Sequence, residues 1–448
     1  MVKDVIDAMD GYLAHLSKTR GFFIDEMKNF FEPAFIKEGY RNPPKFGEKL
    51  YILIIHDAAI GDFVLLSCAI RELRRMYPTA HITLMANAGS LVLGEYCPYV
   101  NEIFHNEQRY DPTNFNELYT WNVSFAQNFL QRHYHICYAF IHRPNTAMLA
   151  YMSGAQVRVA NLSEDVLGTF TLGYDPNKSA TQFDGNTLMR STIDGLMTHL
   201  CSMYAYGDHI VDIHLSFVDH ILGARTFNRE IEIWYSPAEF AQAKEFLNPA
   251  RRPVYALAMG GREKRKHFPP EKYARLVEMI LQEDPTATFV VLGAGSDDEN
   301  SLQTFKENLD EKIFNGHVFS LISRISYRLS AAILTLCDMY IGNDTGIMHV
   351  AAAAKCPVLT PNCFAADIAH NRADYVRLFS PYHVPSVTIQ PAHALDGCKV
   401  NFPYVPYGCH EGKAHCILQI ETETVFKGYK LLKERIAKKN IEPLFITD

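Results

Sequence analysis

The sequence predicts an α/β protein with two doubly wound parallel sheets, on the strength of two strand–turn–helix units. Residues 50–55 form a near-continuous apolar run, which is typical of a strand that is buried on both faces of a parallel sheet. A helical pattern with an apolar stripe follows at residues 63–76. Residues 339–341 form a second apolar run, which leads through Gly342-Asn343-Asp344 into an alanine-rich helix.

Strand and helix patterns alternate through most of the chain, which predicts parallel sheets covered by helices. Further strands are expected at residues 82–85, 102–104, 135–140, 254–258, 288–292, 339–341 and 358–360, and the polar stretch 161–186 reads as a long loop. We expect a helical N-terminal extension (residues 1–46), two Rossmann-like domains (47–225 and 226–425) and a C-terminal helix (426–448) that packs back near the first domain.

Composition and charge argue against a nucleic-acid-binding protein and against a secreted one. The 448 residues carry a net charge of -7, whereas a dedicated nucleic-acid binder is usually basic. The first residues include Lys3, Asp4, Asp7 and Asp10 without an apolar stretch, so we expect no signal peptide. Ten cysteines scattered along the chain favour reduced thiols and a cytoplasmic location, with at most peripheral contact at the inner face of the cell membrane.

The two helix starts carry the polar residues that suggest a ligand site. Asp344 or Thr345 is expected to cap the later helix, whose N-terminus suits a phosphate-bearing ligand. Gly61 lets the backbone turn tightly, and Asp62 falls in the first turn of the earlier helix. The alternative for Asp62 is a helix-capping role and nothing more.

These motifs together resemble glycosyltransferase family 9, the family of ADP-heptose:lipopolysaccharide heptosyltransferases. The resemblance pairs an early Ile60-Gly61-Asp62 with the late Gly342-Asn343-Asp344-Thr345-Gly346 and its Met348-His349. A third match is the strand ending at Gly260-Gly261 with the segment Lys266-His267-Phe268-Pro269, and a fourth, weaker one covers residues 289–299. The resemblance covers roughly residues 48–430, and its four matches follow the family's order.

The resemblance implies a GT-B fold, in which two Rossmann-like domains face each other across a cleft. It implies an inverting transfer of a sugar, with heptose as one candidate, from a nucleotide-diphosphate donor on the second domain. The acceptor would be a bacterial glycan on the first domain, such as lipopolysaccharide core or another lipid-linked glycan; a protein acceptor stays open. It requires no metal or other cofactor, because helix ends and side chains hold the diphosphate.

The resemblance also implies roles for particular residues. Asp62 corresponds to the general base and Lys266 to the phosphate-binding lysine. The donor-binding residues would be Gly61, Gly260, Lys266, Asp344, Thr345, Gly346 and His349. A solvated charge cluster with Arg262, Lys264 and Arg265 is the alternative for Lys266, and a structural role is the alternative for His349.

Three departures from the family pattern bear on the choice of sugar and acceptor. His56 stands where the family usually has Arg, and Phe268 where it has Trp; Pro361-Asn362-Cys363-Phe364 replaces the usual Phe-Gly turn. Two other functions stay open: a nucleotide-sugar epimerase or hydrolase on the same fold, and a non-catalytic protein that binds a sugar or nucleotide.

A late group of cysteines and histidines raises the question of a structural metal. Cys398, Cys409, His410, His415 and Cys416 lack the spacing of a Cys-x-x-Cys knuckle. A packing role for Cys416 is the favoured interpretation, and a metal bound by Cys398, Cys409 and Cys416 is the alternative.

Overall fold

The computed structural model describes residues 49–56, 58–105, 134–140, 146, 149–151, 153–161, 197–201, 209–222, 226, 228–261, 263–367, 375–395 and 416–448. The predicted N-terminal helices, the long loop after residue 161 and most of the late cysteines lie outside these residues. The limits proposed for the domains stay predictions.

The first sheet has six parallel strands in the order β3-β2-β1-β4-β5-β6. Its strands are β1 (Tyr51–His56), β2 (His81–Ala86), β3 (Glu102–His105), β4 (Ile136–Ala139), β5 (Val157–Asn161) and β6 (His199–Cys201). Five consecutive residues of β1 are buried, because this central strand has helices on both sides of the sheet. This confirms the prediction that residues 50–55 belong to a buried strand.

The second sheet has seven parallel strands in the order β13-β12-β11-β10-β7-β8-β9. Its strands are β7 (Val254–Ala258), β8 (Thr288–Val291), β9 (Val318–Ser320), β10 (Met339–Gly342), β11 (Val358–Pro361), β12 (Ser386–Gln390) and β13 (Pro443–Thr447). Both sheets therefore show the strand order of a doubly wound α/β fold. The predicted fold class of two Rossmann-like domains is confirmed.

The described part of the chain contains eleven helices, most of which lie between strands of the two sheets. They are α1 (Ile60–Met76), α2 (Ala88–Gly94), α3 (Ile210–Leu222), α4 (Pro237–Leu247), α5 (Pro270–Glu283), α6 (Ser296–Glu307), α7 (Glu311–His317), α8 (Tyr327–Leu334), α9 (Gly346–Ala353), α10 (Tyr375–Leu378) and α11 (Thr422–Ala437). Short 3-10 turns occupy Lys264–Lys266 and Cys416–Gln419.

The two sheets are joined by one continuous apolar core. Helix α1 packs against α3 on its own domain and against α9 of the second domain. Buried residues of β1, α1 and α3 therefore belong to the same cluster as those of β7, α8 and α9. The contact between α1 and α9 is the seam, and it fixes where the starts of these two helices lie.

The C-terminal helix does not pack where the sequence led us to expect. Instead of lying near the first domain, α11 packs on β11, β12 and α5 of the second domain, and β13 then extends the same sheet. Val425, Tyr429 and Leu432 of α11 are fully buried in the second core. The helix therefore completes the second domain by covering one face of its sheet.

The packing of α11 predicts that substitutions at two helical glycines change the free energy of unfolding by very different amounts. A Cβ atom on Gly428 would lie 3.0 Å from Leu359 Cδ1 and 3.2 Å from Ile389 Cδ1, whereas one on Gly316 of α7 would meet nothing within 4 Å. Gly428→Val should lower the free energy of unfolding by about 1–3 kcal/mol because it overfills this contact. Gly316→Ala, the control, should be neutral or stabilising by up to about 1 kcal/mol. Urea denaturation of both variants measures the difference, and an equal effect would contradict this placement of α11.

Candidate active site

The predicted site residues follow the central strands of the two sheets. In a doubly wound sheet, ligands bind at the carboxyl ends of the strands where the strand order reverses. That point lies between β1 and β4 in the first sheet and between β7 and β10 in the second. Gly61 and Asp62 come just after β1, Gly260 just after β7, and Asp344 just after β10.

The first turns of α1 and α9 touch each other at the seam. A Cβ atom on Gly346 would lie 3.3 Å from the backbone nitrogen of Gly61, and one on Gly61 would lie 2.6 Å from Cδ2 of His349. Gly61 is already inside the helix, so its role differs from the tight turn that we expected. It lacks a side chain because α9 passes too closely to leave room for one.

Neither of these helix starts is capped by a side chain. Ala59 precedes α1 and has no capping group. Thr345 is the N-cap of α9, but its side chain accepts no hydrogen bond from the helix N–H groups. The expectation that Asp344 or Thr345 caps this helix is therefore wrong. Two sets of helix N–H groups, each with a partial positive charge, converge at the seam.

A single buried amide holds three loops of the second domain together. The side-chain oxygen of Asn343 accepts hydrogen bonds from the Phe268 amide (3.0 Å) and the Tyr273 hydroxyl (2.9 Å). Its side-chain nitrogen donates to the carbonyls of Met259 and Gly260. The end of β7, the segment after Lys266 and the end of β10 therefore meet at Asn343.

The structure selects Lys266 from the basic run of residues 262–266. Its ammonium donates to Oδ2 of Asp344 at 3.3 Å. Lys264 is exposed, and Arg265 pairs with Glu263 at 2.7 Å. Burial is the largest single influence and lowers the pKa of Lys266, but the nearby negative groups, Asp344 first among them, together raise it, so the net shift is upward and the ammonium stays charged.

Asp344 receives a second hydrogen bond that the sequence did not predict. The side-chain nitrogen of Asn362 donates to the same Oδ2 atom at 3.1 Å. Asp344 and Asn362 are 7% and 4% exposed, so this contact is shielded from solvent. The other carboxylate oxygen, Oδ1, makes no hydrogen bond with any residue in the described part of the chain.

Gly260 borders the carboxylate of Asp298, and Gly261 borders Thr345. A Cβ atom on Gly260 would collide with the carboxylate of Asp298, which accepts a hydrogen bond from the Ala294 amide at 2.8 Å. Gly261 has φ 145°, and a Cβ atom there would lie 2.6 Å from Thr345 Cγ2. Burial raises the pKa of Asp298. Glycine is needed at both positions because these loops approach each other too closely for a side chain.

His349 and Asp62 lie on opposite sides of the seam. Burial lowers the pKa of His349 to about 4, so the imidazole is neutral at physiological pH. Its Nδ1 atom is buried and makes no hydrogen bond within the residues that the structure describes. Asp62 is half-buried in the first turn of α1, next to Gly61.

Asn343, Asn362 and Asp298 are the site residues that sequence reasoning missed. Asn343 and Asp298 stood inside quoted motifs without an assigned role, and Asn362 was noted only as a departure from the family. A polar residue directly after a buried strand was the available signal for both asparagines.

The metal alternative involves residues that lie mostly outside the described part of the chain, namely Cys398, Cys409, His410 and His415. Cys416 is described; it is buried, and its sulfur accepts a hydrogen bond from the Leu395 amide at 3.4 Å. Among the described residues, no group of three His, Cys, Asp or Glu side chains could hold a metal ion. None of the described helices is long and apolar enough to cross a membrane.

Comparisons with known proteins agree with the geometry. The family model described as glycosyltransferase family 9 (heptosyltransferase) matches residues 201–361. Lipopolysaccharide heptosyltransferase 2 of Escherichia coli strain K12 is 22% identical over 340 residues, which are 74% of this chain and 89% of that protein. The similarity to glycosyltransferase family 9 is therefore confirmed.

Solved structures support the fold. The glycosyl transferase family 9 structure from Veillonella parvula DSM 2008 has a TM-score of 0.63 at 18% identity and covers 88% of this chain and 100% of its own. The E. coli ADP-heptose lps heptosyltransferase II has a TM-score of 0.57 at 17% identity and covers 86% of this chain and 100% of its own. The two sheets thus have the GT-B arrangement.

The role of Asn343 can be tested by replacing its amide with a carboxyl group. In Asn343→Asp, the second oxygen would face the carbonyls of Met259 and Gly260, which disfavours the charged form and raises the pKa of the new carboxyl in the folded state. In the unfolded chain the new carboxyl has a pKa of about 3.9. The loss of unfolding free energy is therefore smallest below that pH. It should grow by about 1.4 kcal/mol per pH unit until the folded pKa is reached.

Urea denaturation at two pH values checks this prediction. The difference between wild type and Asn343→Asp should be larger at about pH 7.5 than at about pH 5.5. Asn308→Asp is the control, because Asn308 is exposed at the end of α6 and its amide bonds only with the Thr304 carbonyl. A pH-independent loss in Asn343→Asp would contradict the hydrogen-bond pattern.

Proposed function

Since the chain is a glycosyltransferase of the family 9 type, we propose that it transfers a sugar, with heptose as the first candidate, from a nucleoside-diphosphate donor to a bacterial glycan with inversion at the anomeric carbon. The relatives' names, which mention ADP-heptose and lipopolysaccharide, motivate ADP-heptose as the donor and lipopolysaccharide core as the acceptor. A lipid-linked acceptor would bring the protein to the inner face of the cell membrane from the cytoplasm.

One observation carries this proposal: two uncapped helix starts, one from each domain, meet beside a charged lysine. A nucleoside diphosphate gains negative charge as it leaves, and N–H groups and a cation in a shielded site stabilise that charge. The first turn of α9 and Lys266 offer these groups on the second domain. The diphosphate would bind there through protein donors, without a metal cofactor.

The sugar would lie between the diphosphate and the first domain. Asp344 offers the unoccupied Oδ1 atom to sugar hydroxyls, and the start of α1 offers Asp62 on the opposite side of the seam. A carboxylate beside the acceptor hydroxyl can take its proton as the oxygen attacks the anomeric carbon. Asp62 would therefore act as the general base, and His349 would orient the donor as a neutral group.

The first test is acceptor-dependent release of the nucleoside diphosphate. Wild type should release ADP from ADP-heptose only when lipopolysaccharide core is present, and Asp62→Asn should lower this rate at least about 100-fold, because a general base contributes about 100-fold or more. The variant should still bind the donor. Glu423→Gln is the control, since Glu423 is an exposed carboxylate in the first turn of α11.

The other outcomes identify other functions. Release without acceptor would favour the hydrolase, formation of an isomeric sugar nucleotide would favour the epimerase, and binding without turnover would favour the non-catalytic protein. Parallel assays with UDP- and GDP-hexoses and with a bacterial glycan extract cover other donors and acceptors.

A second prediction separates Lys266 from the neighbouring lysine. Lys266→Met should weaken ADP binding about tenfold or more, because a hydrogen bond between charged groups contributes about 1.5–3 kcal/mol. Lys264→Met in the same 3-10 turn should leave ADP binding nearly unchanged, since Lys264 is exposed. Isothermal titration calorimetry at one fixed salt concentration measures both. Equal weakening would support a diffuse charge cluster instead of a phosphate-binding lysine.

A further inference from the structure

Asn362 has a fixed position against Asp344. Its backbone amide donates to the Ile389 carbonyl at 2.8 Å, and its side-chain oxygen accepts from the Phe364 amide at 2.9 Å. The side-chain nitrogen is thereby turned towards Asp344 Oδ2. Flipping the amide would place an oxygen against a carboxylate, so both ends of this side chain are determined by their partners.

A diphosphate would compete with Asp344 for the ammonium of Lys266. Its ammonium lies 3.3 Å from Asp344 Oδ2, and the proposed function gives it a second anionic partner. If Lys266 turned away from Asp344, a largely buried carboxylate would lose its ion pair, which is costly. Asn362 is neutral, so a phosphate attracts it less strongly than it attracts the lysine. Its hydrogen bond to Asp344 would therefore remain.

We propose that Asn362 is a positioning residue for the donor sugar. It holds Oδ2 of Asp344 while Lys266 engages the diphosphate, and it thereby keeps Oδ1 directed at the sugar hydroxyls. This inference rests on the proposed function and assigns a role that the nucleoside diphosphate alone does not need. A site that is built to hydrogen-bond a substrate hydroxyl discriminates against sugars that lack it, so Asn362 also contributes to the choice of sugar.

The test compares two ligands on the same set of variants. Calorimetry with ADP and with ADP-heptose measures how much the sugar adds to binding; UDP with UDP-glucose and GDP with GDP-mannose are run in parallel. Asn362→Ala should leave binding of the diphosphate within about twofold and weaken binding of the sugar nucleotide about tenfold, because a hydrogen bond to a charged group is lost. Asn362→Asp keeps the acceptor for the Phe364 amide but repels Asp344, so its loss should be larger.

A matched control separates positioning from simple loosening of the turn. Gln390 donates to the Phe364 carbonyl at 3.0 Å, so it supports the same turn without touching Asp344. Gln390→Ala should affect the diphosphate and the sugar nucleotide equally. In the Asp344→Asn background, Asn362→Ala should cost little further binding of the sugar nucleotide, because the two residues act as a pair.

Each outcome has a separate meaning. Equal weakening of both ligands by Asn362→Ala, or the same pattern in Gln390→Ala, would overturn the positioning role while leaving the proposed function intact. Additive losses in the double variant would overturn the coupling to Asp344. If wild type binds none of the three pairs, the proposed function fails, and this inference fails with it.

Discussion

The arrangement of the site loops of the second domain depends on the hydrogen bonds of one side chain, the buried amide of Asn343. All four of its side-chain bonds are made to groups on other segments, and its carbonyl also accepts a hydrogen bond from the Tyr340 hydroxyl at 3.0 Å. A fully satisfied amide in a low-dielectric interior fixes its partners in one arrangement, because any shift would leave a polar group unpaired. The Gly260 peptide, the segment after Lys266 and the start of α9 are thus positioned by the same group.

Polar contacts also hold the two domains together on either side of the seam. Arg71 of α1 donates to the carbonyls of Asn228 and Glu230, at 2.5 and 2.8 Å, and to the carboxylate of Glu232, so it fixes the connecting segment to the helix that carries Asp62. A second bridge runs from Arg328 of α8 to the Val92 carbonyl of the first domain at 3.0 Å. Since the apolar core is continuous across α1 and α9, closure of a cleft would pivot about this seam and leave the two helix starts together.

Sequence patterns predicted the elements with strong apolar runs and missed those without them. β7 was predicted to the residue, and β3 was found although it lies at the edge of its sheet, whereas β5, β6, β9, β12 and β13 were not anticipated. In the site, the motifs located the helix starts and the basic segment. They did not show that Lys266 faces Asp344 or that Gly61 accommodates His349, because those contacts join residues far apart in the chain. The expected side-chain cap is also absent: Thr345 stands at the N-cap position of α9, but its side chain accepts no hydrogen bond from the helix.

The charges of the site explain why its polar residues are arranged in pairs. His349 is neutral above about pH 6, because burial lowers its pKa to about 4, so it adds no positive charge for a diphosphate. The positive charge nearest the start of α9 then comes from Lys266 and from the helix dipole. Without a ligand, Lys266 would be a partly buried cation beside converging N–H groups, and Asp344 balances it. Under the proposed function, the carboxylate that pairs with the lysine would also be in place to meet the sugar, while the phosphates take over as partners of the lysine.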